Sequence, residues 1–140
     1  MNDPLHDIHH YSPTFTIAQI IKFCEKKGLE VSRAMIQNYI RAGLLSPPAN
    51  RLYTQKHLAA LVVILRFKSL FDIQTIKQVL APHMDEEGLP IETYKWLVEK
   101  QKYVMELWAE KIAPVIAAEP EDRQHLLLMA HIADINDLKE

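Results

Sequence analysis

A chain of 140 residues is long enough for one domain, or for one small domain with an appendage, and it can bury a modest core. The composition is 49% hydrophobic and 24% charged, which is typical of a globular protein and excludes disorder as the default state. The segment up to Pro82 contains ten Lys and Arg residues and five Asp and Glu residues. The segment from His83 onward contains six Lys and Arg residues and thirteen Asp and Glu residues. Because basic surfaces attract phosphates, a nucleic-acid surface is expected only in the first part of the chain.

The sequence predicts a cytoplasmic protein that does not associate with membranes. Cys24 is the single cysteine, so no internal disulfide is expected, which fits a reducing compartment. The chain does not open with a basic segment followed by an apolar run, and secretion is therefore not expected. The most apolar stretches, 58–70 and 126–135, are too short or too interrupted to span a bilayer.

Capping residues predict two helices joined by a short link. Thr16 and Gln19 match the Thr-x-x-Gln capping box, and Gly28 is suited to end the helix that they begin. Ser32 is a natural N-cap for the second helix, so residues 29–31 form the short link of a helix-turn-helix. The apolar stripes of these helices are predicted at Ile17, Ile20, Ile21 and Cys24 and at Ile36, Tyr39 and Ile40.

Two further helices are predicted before Pro82. Thr54 is the expected cap of the third helix and Asp72 that of the fourth, which Pro82 should end. Between the second and third helices, Pro47-Pro48 leads into a brief Arg-Leu-Tyr segment. The inward positions are predicted to be Leu58, Leu61, Val62, Leu65 and Leu70 in the third helix and Ile73, Ile76, Val79 and Leu80 in the fourth.

After the polar link 84–88, one long and one shorter helix are predicted. Pro90 suits the first turn of the long helix, which should run to about Ala113 and be kinked or ended by Pro114. The last helix should start near Pro120. We thus predict a flexible lead-in over 1–14, a first domain over 15–82 and a helical dimerisation or interaction region over 83–140.

The segment from Phe15 to Pro82 resembles the DNA-binding domain of the MerR-type transcription regulators. The matching pieces are Val31-Ser32 at the start of the second helix, Tyr39 within it and the run 41–45 at its end. Arg51-Leu52-Tyr53 matches the wing, and the run 69–77 matches the start of the fourth helix. The resemblance implies an all-α winged helix-turn-helix of four helices with a short wing, here followed by the long and the shorter C-terminal helix.

The chain also departs from that family's pattern. Gln37 and Asn38 stand where the family usually has an Arg and a second Tyr, Ile40 replaces a Glu, and the shortened wing has Pro47-Pro48 in place of basic residues. With neutral amides at these positions phosphate contact is possible but weaker, and base-edge reading by Gln37 and Asn38 becomes possible. The chain is most similar to an uncharacterised family of small MerR-like proteins.

These residues predict a sequence-specific DNA-binding transcription regulator acting on double-stranded DNA. Arg33 and Gln37 lie one helical turn apart, so Gln37 is placed to bond adenine while Arg33 reaches guanine or phosphate. The alternative is that this is the solvated face of a structural helix. Tyr53 is expected to pack under the wing more than to touch DNA. The predicted DNA-binding set is Ser32, Arg33, Gln37, Asn38, Arg41, Arg51, Tyr53, Lys22, Lys26 and Lys27.

The long C-terminal helix is predicted to mediate association. Its apolar residues recur at spacings of three and four, which leaves open whether they pair between two chains or pack on their own domain. We predict a homodimer; the alternative is a protein-interaction adaptor that keeps the fold but binds DNA weakly or not at all. The predicted dimer or partner interface comprises Tyr94, Leu97, Val98, Met105, Trp108 and Ile112.

Catalysis, cofactors and metals are not expected. The chain has three glycines and no glycine-rich phosphate loop, and no nucleophile is paired with a base. His9 and His10 are adjacent and His125 and His131 are six apart, so neither pair has the spacing of a helical chelate. We therefore predict that the protein is not an enzyme; whether an effector small molecule binds it is unknown.

Overall fold

A computed structural model describes residues 3–138, which are mostly helical with one two-stranded antiparallel sheet. This confirms the helical class. Residues 3–98 form one compact unit, and residues 99–138 form another. The elements are β1 (Thr14–Phe15), α1 (Ile17–Lys26), α2 (Arg33–Arg41), β2 (Tyr53–Thr54), α3 (Gln55–Phe67), α4 (Ile73–Leu80), α5 (Ile91–Leu107), α6 (Ala113–Ala117) and α7 (Glu121–Asp137).

The predicted helix caps are confirmed by their hydrogen bonds. In α1 the Thr16 hydroxyl accepts from the Gln19 N–H at 3.2 Å, and the Gln19 side chain accepts from the Thr16 N–H at 2.8 Å. Ser32 accepts from the N–H of Met35 at 3.1 Å at the start of α2. These side chains satisfy backbone donors that the first helical turn leaves without partners, so the local sequence alone determines where the helices begin. Asp72 caps α4 in the same way, through the Thr75 N–H.

The cap of α3 contains a residue that the sequence analysis missed. Thr54 accepts from the N–H of His57, and Nδ1 of His57 accepts in return from the Thr54 N–H at 2.9 Å. Since Nδ1 accepts, the proton of the neutral imidazole lies on Nε2, which is 3.3 Å from the carbonyl oxygen of Pro47. His57 is buried and therefore links the start of α3 to the segment that follows α2.

The core of the N-terminal unit is centred on α3. Every residue from His57 to Leu65 is buried, as expected of a helix that is covered on all sides. The sheet lies at the start of α3, with Thr14 paired to Thr54 and Phe15 to Tyr53. The other elements supply the remaining buried apolar residues, which include Phe15, Ile20, Phe23, Cys24, Ile36, Tyr39, Leu44, Leu45, Ile76, Leu80, Leu89 and Tyr94.

The first residues and the segment after Pro82 both belong to this core. The segment predicted as a flexible lead-in buries Leu5 and Ile8 instead, and the Tyr94 hydroxyl donates to the Asp3 carboxylate at 2.8 Å. The sequence pattern missed this because the buried residues of the segment, Pro4, Leu5 and Ile8, follow neither a helical nor a strand periodicity. Leu89 is also buried, so the compact unit extends beyond the predicted boundary at 82.

Three predicted core positions are wrong. α3 ends at Phe67, so Leu70 falls in the following turn and is 82% exposed. In α4 only Ile76 and Leu80 are buried, whereas Ile73 and Val79 are exposed. Ile73 lies on the same side of α4 as Ile76 and Leu80, but it is the first residue of the helix and follows the exposed Asp72, whereas Val79 lies at the edge of that side.

The C-terminal unit remains helical through Pro114, where the long helix was predicted to kink or end. A π-helical turn, Trp108–Ile112, follows α5, and Pro114 lies in the first turn of α6. Proline lacks an N–H and clashes with the carbonyl four residues earlier in a regular helix, so a widened turn accommodates it. α7 begins directly after Pro120 with Glu121 and Asp122 in its first turn, as predicted.

We predict that the stability of the fold depends on the neutral form of His57. Burial lowers the pKa of His57, against the opposing effects of the Pro47 carbonyl and of Glu87 and Asp85. The unfolded chain therefore binds a proton near pH 6.5 while the folded chain does not. Stability should be fully present above that pH and should decrease as the pH falls, which urea unfolding between pH 7.5 and 5 will measure.

The matched control for this prediction is His57→Gln. Gln19 forms the equivalent box in α1, so glutamine preserves the cap without titrating in this range. The variant should lose much of the decrease in stability between pH 7.5 and 5. If the wild type and His57→Gln show the same pH dependence, the assignment of this effect to His57 is wrong.

Candidate nucleic-acid interface

One face of α2 is polar and exposed, and the opposite face is buried. Ile36 and Tyr39 pack in the core, in agreement with the predicted inward stripe. Arg33, Gln37 and Arg41 follow one another at intervals of four residues and are all exposed. Asn38 is exposed beside them and Ser32 caps the helix, so the predicted base-reading residues share one accessible surface.

The link between α1 and α2 is a tight glycine turn. Gly28 has a φ of +76°, and the N–H of Leu29 bonds to the carbonyl of Cys24 at 2.8 Å. This geometry ends α1 and satisfies its last carbonyls, and glycine adopts the left-handed conformation at little cost. The turn thus brings α2 directly after α1.

Three lysines in α1 and at its C-terminal cap were predicted to contact DNA, and they differ in exposure and in ion pairing. Lys22 and Lys26 are exposed and lie one helical turn apart. Lys27 instead forms an ion pair with Asp7 at 3.1 Å and lies 5.5 Å from the centre of the Phe23 ring. Its hydrogen bond lowers the pKa of the Asp7 carboxyl. Lys27 therefore anchors the N-terminal segment, which argues against its predicted role in DNA binding.

The predicted wing is a two-residue turn. The N–H of Leu52 bonds to the carbonyl of Ala49 at 2.9 Å, and the two residues between them have φ angles of +52° at Asn50 and +62° at Arg51. Two successive positive φ angles define a type I′ turn, the geometry that suits a tight hairpin. Arg51 is exposed at its tip. Asparagine tolerates the left-handed conformation, whereas arginine adopts it at a cost.

Tyr53 lies beneath the wing. It is 5% exposed, and its ring meets that of His57 edge-on with centroids 5.4 Å apart. Burial raises the pKa of Tyr53, and the charge of Arg33 partly opposes this effect. Tyr53 is therefore a packing residue, as the sequence favoured, and its inclusion in the DNA-binding set is corrected.

Lys77 is a residue near this surface that the sequence analysis missed. Its ammonium group donates to the carbonyl oxygen of Ala42 at the C-terminus of α2, at 3.2 Å. Gly43 follows with a φ of +73°, and a Cβ at that position would lie 3.0 Å from the Lys77 nitrogen. A cation at a helix C-terminus is favoured by the helix dipole, so Lys77 stabilises the end of α2 from α4. No sequence spacing signals a contact between residues 35 positions apart.

The predicted dimer or partner residues divide between the two units. Tyr94 is buried in the N-terminal core, and Leu97 and Val98 pack partly against the same core. Tyr94 is therefore wrong as an interface residue, because its side chain is already covered by its own chain. Met105 and Ile112 are exposed, and Trp108 is half-buried with its ring centroid 5.3 Å from that of His131.

The described residues were also searched for a reactive thiol, a metal site and a membrane-spanning helix. Cys24 is buried, and burial raises its pKa to about 12, so the thiol is unreactive at neutral pH. Among residues 3–138, no three His, Cys, Asp or Glu side chains are grouped closely enough to hold a metal ion. Over the same range, the helices lack the combination of length and apolar character that crossing a bilayer requires.

Residues 13–96 match a family model described as "Domain of unknown function (DUF1836)". The match covers well over half of the chain and includes β1, α1, α2, the wing, α3 and α4. Comparisons with curated proteins and with solved structures find no match.

The strained conformation at the tip of the wing predicts the effect of one substitution. Arg51→Gly creates an Asn-Gly type I′ turn, in which glycine adopts a positive φ without steric cost. We expect the free energy of unfolding to rise by about 1 kcal/mol, measured by urea denaturation. Arg51→Lys is the control, because it keeps the charge and the strain and should leave stability unchanged. A destabilised Arg51→Gly protein would contradict the assignment of strain.

Proposed function

The chain belongs to the DUF1836 family, and we propose that it is a sequence-specific DNA-binding transcription regulator with a MerR-like winged helix-turn-helix. The observation that carries the proposal is the exposed polar face of α2, which follows α1 through the Gly28 turn. A helix presented in this way is suited to the major groove of DNA, which admits one α-helix. We propose a cytoplasmic protein without catalytic activity, as expected from the sequence.

In this proposal α2 reads base edges. Gln37 and Asn38 carry amides that bond adenine bidentately, and the guanidinium of Arg33 matches the acceptors of guanine or a phosphate. The side chains are exposed and the helix that carries them is fixed by its buried face, so its backbone loses little conformational entropy on binding. The acidic residues are concentrated after Pro82, which leaves the α2 surface in the more basic part of the chain.

The wing supplies a phosphate contact through Arg51. Its side chain projects from a two-residue turn whose backbone is fixed, and its left-handed φ favours glycine. A strained residue in place of the residue that the turn prefers is consistent with a functional requirement for its side chain. Lys22 and Lys26 on α1 provide further exposed cations for the DNA backbone.

The proposal is tested by fluorescence anisotropy with the duplex upstream of the protein's own gene and with a scrambled duplex of equal length. Specific binding should favour the native duplex and persist as salt is raised, since base contacts depend on salt less than phosphate contacts do. Binding sites other than the one upstream of the gene are sought by selecting bound sequences from a library of random duplexes. Failure to bind the native duplex, the scrambled duplex and every selected duplex at low salt would contradict the proposal.

Variants separate base reading from phosphate contact. Gln37→Ala should weaken binding to the specific duplex by about 1–3 kcal/mol and relax its sequence preference. Arg51→Ala should weaken binding to all duplexes and reduce the slope of log K against log salt by about 1. Lys102→Ala, which removes an exposed cation from the C-terminal unit, is the control and should change neither quantity.

The second candidate function is a protein-interaction adaptor. The observation that favours it is the number of large apolar side chains exposed in the C-terminal unit, where Val115 is 64% and Leu126 is 70% exposed. In the regulator the same unit would join two copies, so that two α2 helices reach half-sites about 34 Å apart. A chain that binds no duplex but captures a defined protein through this unit would favour the adaptor.

A further inference from the structure

A cavity of about 350 Å³ lies at the C-terminal end of α2. Its walls come from the last turn of α2, the segment that follows it, the last turn of α4 and the residues after α4. This volume is at the lower end of the range of pockets that bind small molecules, about 300–1,000 Å³. The lining has an apolar part, which includes the side chains of Ile40, Leu44, Leu45, Leu80, Ala81 and Met84.

Of the described residues that line this cavity, only Lys77 carries a positive charge. Among all the residues that the structure describes, three lysines are half-buried: Lys27, Lys56 and Lys77. Lys27 and Lys56 each form an ion pair with an aspartate, at 3.1 and 2.7 Å. Lys77 forms no ion pair with a described residue, and its hydrogen bond goes to the neutral carbonyl of Ala42 at 3.2 Å. Because burial removes hydration from the ammonium, an anion in the cavity would supply a missing counter-ion.

Asp85 also lines the cavity, but its negative charge is already balanced. One of its carboxylate oxygens accepts from the ammonium of Lys56 at 2.7 Å. The other accepts from the N–H groups of Glu87 and Gly88 at 2.9 and 3.1 Å. A positively charged group on a ligand would therefore compete with Lys56 for Asp85, whereas a negatively charged group would meet Lys77 without a competing carboxylate. The charges of the lining thus favour an anion over a cation or a zwitterion.

We propose that this cavity binds a small carboxylate with a short aliphatic chain. The carboxylate accepts from the two N–H groups of Lys77 that the bond to Ala42 leaves free. The aliphatic chain covers the apolar part of the lining around Leu80. Inorganic phosphate carries more charge than one ammonium balances and leaves that apolar part uncovered. The site does not depend on DNA binding.

A carboxylate on Lys77 would also act on the end of α2. The N–H groups of residues 43–45 bond to the carbonyls of Tyr39 and Ile40 in the last turn of that helix, at 2.9 to 3.1 Å. A ligand that fixes the ammonium beside this turn stabilises the turn, so hydrogen exchange of these three amides should slow when the cavity is occupied. The consequence for DNA recognition by α2 rests on the proposed function, whereas the site itself does not.

Titration of the full chain with hexanoate, followed by the NMR shifts of its amides, tests the site. At millimolar concentrations the shifts should be confined to residues 40–47 and 77–85. Hexanamide has the same length without the charge and should bind about tenfold more weakly, and hexylammonium and inorganic phosphate should not compete with hexanoate. Each methylene added from butanoate to hexanoate should tighten binding about fourfold, because it buries more apolar surface.

Two variants test the charged and the apolar part of the lining separately. Lys77→Met removes the charge at similar length, so it should weaken hexanoate binding about tenfold and leave hexanamide binding unchanged. Ala81→Phe fills the cavity from an exposed position and should weaken the binding of both. The matched control is Lys68→Met, which removes an exposed cation at the C-terminus of α3 and should leave hexanoate binding unchanged. Circular dichroism will show that each variant folds.

Three results would overturn the proposal. No carboxylate of the series could shift the amides of residues 40–47 or 77–85 at millimolar concentrations. Hexanamide could bind as tightly as hexanoate, which would show apolar contact alone. Finally, Lys77→Met could bind hexanoate as tightly as the wild type. Unchanged hydrogen exchange of residues 43–45 in saturating hexanoate would contradict the link to α2. These measurements contain no DNA, so each result is distinguishable from a failure of the proposed function.

Discussion

The burial of α3 on all sides is the constraint on which the N-terminal unit depends. A helix whose residues from His57 to Leu65 are all buried must be surrounded by other elements, and α1, α2, α4 and the N-terminal segment contribute the apolar side chains of that core. The start of α3 is equally constrained, because His57 bonds both to Thr54 of the sheet and to Pro47 after α2. One buried imidazole thereby connects the wing region, α3 and the chain leaving α2.

That arrangement leaves α2 with a single free side. Its inner face is held by Ile36 and Tyr39, its start by Ser32 and its end by Lys77 from α4. A backbone fixed in this way loses little further conformational entropy when the helix binds a rigid partner. The same physical reasoning explains the wing, where a two-residue turn holds Arg51 in a conformation that arginine adopts only at a cost. Both features hold exposed side chains on a fixed backbone.

The C-terminal unit follows a different principle. Among residues 99–138 none is fully buried, and the best-covered apolar side chains, such as Trp108 and Leu128, are only half-buried. Hydrophobic burial within this unit therefore contributes less to stability than it does in the N-terminal unit. Association is the physical means by which such helices gain a core. Local sequence still determines the backbone here, because the π-helical turn before Pro114 accommodates the proline and the chain remains helical.

Local features of the sequence determined the caps of α1, α2, α3 and α4 and the start of α7, because a cap is a contact between residues three apart or fewer. The exposed face of α2 was equally predictable from its periodicity. Tertiary structure alone decided which apolar residues are covered, as the exposed Val79 and the buried Tyr94 show. It also decided that Lys27 pairs with Asp7 and that Lys77 reaches Ala42. Such contacts join residues 20 and 35 positions apart, and they depend on the distances between packed helices, which no local pattern specifies.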